Sequence, residues 1–147
     1  MDMKTEDIEF ARRELENTAL LRETARMVAA KMSVEDIADG LDTTFEKAKK
    51  LVARASFLMK YDGLPLTPRE IIYRAAVGDL TRGAMLDALV RISYTYAEYA
   101  EPENPLSVLT VGSWDDLMMC YYHGLISLSE ISTIADLREE LRKAGLL

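Results

Sequence analysis

The sequence predicts an all-α protein of about seven helices: an N-terminal helix-turn-helix unit packed on a C-terminal helical bundle. Two observations predict the class. Only four prolines and seven glycines punctuate 147 residues, while Ala, Leu, Glu, Met and Arg dominate. Apolar residues recur at spacings of three and four over long stretches, and hydroxyl or Asp residues followed three positions later by an acid mark repeated helix starts. Length allows one ordinary domain or two very small ones, and the sequence divides into residues 1–62 and residues 63–147.

Composition narrows the function classes. Apolar residues make up 49% and charged residues 29%, the balance of a soluble globular chain. No apolar run reaches the roughly 18 residues of a membrane span, and the start MDMKTEDIEF has neither the basic nor the apolar segment of a secretory signal, so the expected compartment is the cytoplasm with no membrane partner. One cysteine, Cys120, excludes an internal disulfide framework. Charge is uneven: residues 1–60 carry 11 basic against 12 acidic groups, residues 61–147 carry 7 against 13.

Thr5 to Ala30 reads as one long helix with Ile8, Ala11, Leu15, Ala19, Leu21, Ala25 and Val28 on its apolar positions. Its second half suits the supporting helix of a three-helix unit. The overhanging first half has two expected uses: a homodimer contact, or docking on the chain's own second half.

Ser33, with Asp36 as a capping-box acid, starts a short helix through Ile37, Ala38 and Leu41. Asp42 tolerates left-handed backbone angles. Thr43 with Glu46, or Thr44, then starts another helix with Ala48, Leu51, Val52 and Ala55 inward. Between Thr43 and Lys60 stand Lys47, Lys49, Lys50, Arg54 and Lys60 against Glu46 alone, a local charge of +4 in a chain of net charge -7. A basic helix in an acidic chain is the electrostatic footprint of nucleic-acid contact. It is equally the solvated face of any amphipathic helix.

The placement of Ala38 ten residues before Ala48, across a short turn, resembles the helix-turn-helix of bacterial and phage transcription regulators. The likeness covers Ser33 to Arg54. It departs in the turn, where Asp42 and Thr43 stand in place of the family's Gly followed by Ile or Val. The resemblance implies that Thr44, Phe45, Lys49 and Lys50 face base edges or phosphates of duplex DNA, with Lys47 and Arg54 nearer the duplex backbone.

Phe57, Leu58 and Met59 extend this helix to a turn at Tyr61-Asp62-Gly63. Thr67-Pro68-Arg69-Glu70 is a helix start with Pro at the first position, and that helix ends at Gly78. The next is expected from Thr81 toward Tyr96. EPENP, residues 101–105, is a loop, and LSVLTV a short extended piece. Ser113 with Asp116 is expected to cap a helix reaching Gly124, and Ser127 with Glu130 the last helix, ended by Gly145.

Three corners share a pattern: Ala30 to Ser33 with Ile37, Gly78 to Thr81 with Met85, and Gly124 to Ser127 with Ile131. They are either true repeats or the chemistry that any helical hairpin needs.

Enzyme chemistry has little support, and no cofactor or metal is expected. The single histidine, His123, lies three residues from Cys120, which leaves a metal short of ligands. No Gly-rich phosphate cradle occurs. A second surface is expected instead at Tyr94, Tyr96, Glu98, Tyr99, Glu101, Glu103 and Trp114. From Ile92 to Leu137 there are seven acids and no Lys or Arg. Aromatic anchors in a one-sign field suit a basic protein partner, or the rings close the core and the acids keep the rim soluble. The sequence thus predicts a small DNA-binding regulator with an acidic partner-binding half, an antitoxin-like layout. The competing expectation is a protein-interaction or inhibitor module that binds no DNA.

Overall fold

The computed structural model describes residues 3–95, 98–99, 103, 108–110 and 112–147. Among them are seven helices: α1 (Thr5–Ala29), α2 (Val34–Gly40), α3 (Phe45–Tyr61), α4 (Pro68–Ala76), α5 (Arg82–Arg91), α6 (Asp115–Tyr122) and α7 (Leu128–Lys143). Two short extended pieces, β1 (Glu98–Tyr99) and β2 (Val108–Thr110), pair antiparallel with Glu98 opposite Thr110. The chain is all-α, and no described helix is long and apolar enough to cross a membrane.

Two compact units divide the chain. One comprises Arg13–Pro65; the other Leu66–Leu147 together with residues 1–12, so α1 contributes to both.

In the Arg13–Pro65 unit, Met27 of α1, Ile37 and Ala38 of α2 and Ala48 of α3 form the core, with Val28, Met32, Val34, Leu41 and Val52 around them. Ala38 and Ala48 are small because α2 packs directly on α3, and a longer side chain at either would hold the helices apart. The corner between them is tight. Asp42 takes φ 51°, its N–H donates to the Asp39 carbonyl, and the Thr43 N–H donates to the Ala38 carbonyl, which together satisfy the end of α2. Of the two hydroxyls offered by the sequence, Thr44 is the cap, accepting from the Lys47 N–H at 3.3 Å. Ser33 caps α2 by accepting from the Asp36 N–H, and Arg22 of α1 holds the chain beyond α3 by donating to the Leu64 and Pro65 carbonyls.

The other unit is built from helical hairpins: α4 packs on α5 and α6, and α5 on α7. Ile72, Met85, Leu89, Leu117, Leu125, Ile126 and Ile134 are among its fully buried side chains. From α1, Phe10 stacks on His123 at 4.4 Å and meets the edge of Tyr73 at 5.9 Å. Thr67, Thr81 and Ser127 cap α4, α5 and α7, and Ser127 with Glu130 completes both halves of a capping box.

Two expected elements differ. The helix from Thr81 stops at Arg91 rather than reaching Tyr96, because Arg138 of α7 donates to the Val90 and Ile92 carbonyls at 2.8 and 2.7 Å and satisfies that end. Ser113 does not cap α6: its hydroxyl accepts the Thr95 N–H at 2.9 Å, and Trp114 occupies the cap position with no capping bond from its side chain to the helix. The loop expected at 101–105 lies outside the described residues except for Glu103.

The shared corners use one chemistry at two lengths. Gly78 and Gly124 adopt left-handed angles three residues before their capping hydroxyls, whereas Lys31, at φ 61°, does so two residues before Ser33. The Asp42–Thr44 corner repeats the shorter form without belonging to the sequence pattern.

Candidate nucleic-acid interface

The α3 helix turns 100° per residue, which sorts its side chains into faces. Ala48 and Ala55, seven apart, are fully buried, and Leu51, Val52 and Leu58 are half-buried beside them. Opposite runs Lys50, Arg54, Phe57 and Tyr61, at spacings of four, three and four. Lys47 flanks this face on one side, Lys49 and Lys60 on the other. All seven are exposed, as are Thr44 at the cap and Phe45 at the first position.

Pairing separates α3 from the other long helices. Arg12 pairs with Glu9 and Arg26 with Glu23 on α1, Arg74 with Glu70 on α4, Arg91 with Asp87 on α5 and Arg142 with Glu139 on α7. Among the described residues, none of Lys47, Lys49, Lys50, Arg54 and Lys60 forms an ion pair. Glu46, one turn from Lys49 and Lys50 and correctly spaced for either, bonds to neither. Five helices carry cations, and among the described residues only α3 has none of its cations in an ion pair, so this face presents positive charge to solvent.

The sequence places Phe57 in the helix and Tyr61 in the turn that follows; the structure carries α3 through Tyr61. The structure stacks their rings at 5.4 Å and 27°, with 60% and 80% of each residue exposed. Their spacing of four, in line with Lys50 and Arg54, was the signal.

At the second surface, Tyr94 and Trp114 are half-buried and meet edge to face at 4.8 Å. The Tyr94 hydroxyl donates to the Leu89 carbonyl at 2.6 Å, and the Arg138 guanidinium lies 4.7 Å over its ring. A cation thus enters the aromatic cluster from just beyond the base-free stretch. Glu103 is exposed; the backbones of Glu98 and Tyr99 lie in β1, and Tyr96 and Glu101 fall outside the described residues.

Cys120 and His123 do not converge. Cys120 is buried, and burial together with the neighbouring Asp116 carboxylate pushes its thiol up to about 12. His123 is exposed and stacked on Phe10. Asp116 serves another helix, taking the Arg69 N–H at the start of α4; burial nonetheless raises its pKa. Among the described residues no three His, Cys, Asp or Glu side chains are grouped to hold a metal ion.

Comparison with protein-family models, curated proteins and solved structures finds no match for this chain.

Proposed function

We propose that the chain is a small, non-enzymatic DNA-binding transcriptional regulator that takes duplex DNA on α3 and binds a basic protein partner through its acidic C-terminal half, the layout of an antitoxin or phage-type regulator. The observation that carries the first part is the set of exposed cations, unpaired among the described residues, on a helix that follows a tight three-residue corner. Phosphate contacts supply most of the affinity in protein–DNA binding, and Lys47, Lys49, Lys50 and Arg54 are available to make them. Thr44 and Phe45, at the exposed start of the same helix, are the residues for base edges. Partner binding rests on charge: residues 61–147 carry 13 acidic against 7 basic groups.

Binding to labelled random duplex, followed by fluorescence anisotropy, tests the reading. Four to five phosphate contacts give a log–log salt slope of about -4, so affinity falls by a factor on the order of a few hundred between about 50 and 200 mM salt. Lys49→Glu with Lys50→Glu abolishes binding while the far-ultraviolet circular dichroism stays native. A wild-type protein that ignores duplex at low salt leaves the chain a protein-interaction module.

A further inference from the structure

We infer that the far half of α3 is a stacking platform for the unpaired bases of single-stranded nucleic acid, with Phe57 and Tyr61 receiving bases and Lys50, Arg54 and Lys60 the phosphates between them. The inference deepens the proposed function and rests on its premise that α3 meets a polyanion.

Three features specify the ligand. The two rings are exposed over most of their surface, yet they are already stacked on each other, so their flat faces are oriented before any ligand arrives. They continue the face that carries Lys50 and Arg54, and Lys60 is exposed beside them, none of these cations being paired among the described residues. Asp62, the residue after Tyr61, is engaged in the turn, where its carboxylate accepts the Leu64 N–H at 3.0 Å. A ligand that satisfies both parts must carry repeated negative charge and flat apolar rings at short intervals. Single-stranded nucleic acid does, since every base has a face that stacks on an aromatic side chain and every linkage carries a phosphate. A duplex end or a membrane surface supplies the charge but not a run of free base faces.

Stacking on an aromatic side chain is a sequence-tolerant contact whose removal weakens binding by about tenfold or more per base. The test is anisotropy with three labelled probes: a flush duplex, and single-stranded DNA and RNA oligonucleotides of mixed sequence, each against wild type, Phe57→Ala, Tyr61→Phe and Tyr61→Leu. The expected result is single-strand binding by wild type, about tenfold weaker for Phe57→Ala and Tyr61→Leu and retained in Tyr61→Phe, with duplex binding changed less than threefold. The DNA and RNA arms decide which strand is preferred. Equal loss in Tyr61→Phe and Tyr61→Leu overturns the inference, because a flat ring is then not what matters. So does duplex binding without single-strand binding, which leaves the proposed function standing. Failure of all probes overturns both. Sedimentation of the same variants covers the remaining outcome: weaker self-association with unchanged single-strand binding makes the ring pair a contact between copies and also overturns the inference.

Discussion

Arg82, the first residue of α5, grips Glu130, the third residue of α7, with two nitrogens, Nε at 3.0 Å and Nη2 at 2.6 Å, while Nη2 also donates to the Leu125 carbonyl. The same carboxylate accepts the Ser127 N–H, so one acid joins the corner before α7 to the start of α5. Burial opposes its charged form, but Arg82 and Ser127 outweigh burial and hold the Glu130 pKa below the ordinary carboxyl range. A carboxyl more acidic in the folded than in the unfolded chain stabilises the fold above its unfolded pKa, about 4.3, and that contribution fades as the pH falls through the lower folded value. Glu130→Gln should therefore cost about 1–2 kcal/mol at neutral pH, allowing for partial exposure, and much less near pH 3. Urea unfolding of both proteins at the two pH values reads the difference directly; an equal loss at both would remove the ionic account.

Left-handed corners make opposite predictions at two positions. Lys31 pays for φ 61° with a Cβ, whereas Gly78 occupies φ 90° with none. Lys31→Gly should raise stability by up to about 1 kcal/mol. Gly78→Ala should lower it by about 1 kcal/mol through backbone strain alone, since an added Cβ there meets nothing within 4 Å. Thermal unfolding of the pair checks both signs.

Ala48 is fully buried where α2 meets α3. Ala48→Leu should destabilise the Arg13–Pro65 unit by about 1–3 kcal/mol through overpacking. Hydrogen exchange localises the damage: α2 and α3 amides should lose protection while those of α4 and α6 keep theirs.

Cys120 is buried with a thiol pushed up to about 12. At pH 8 it should not react with an aromatic disulfide reagent in the native protein, and its labelling rate should follow global unfolding as urea is added. Fast labelling in buffer alone would contradict its placement.

Helix starts were legible because they are local: a hydroxyl at Ser33, Thr67, Thr81 or Ser127 needs only the N–H three residues ahead. Asp42 was legible for the same reason, as a residue whose own backbone preference makes the corner. Contacts made across long separations were not. The end of α5 is set by Arg138, and Ser113 is drawn from its expected cap by Thr95, and neither partner lies within the windows from which helices are read. The acidic, base-free stretch around Tyr94 hid its cation for the same reason, Arg138 standing just past its border. On α3 the basic residues were legible as a count, but whether acids neutralise them is a matter of side-chain geometry. Glu46 has the right spacing and makes no pair, which no spacing rule decides.

The stack of Phe10 on His123 ties α1 to a partner more than a hundred residues farther along the chain. On a ribosome Phe10 is made 113 residues before His123, so the first turns of α1 wait for this contact until α6 is complete.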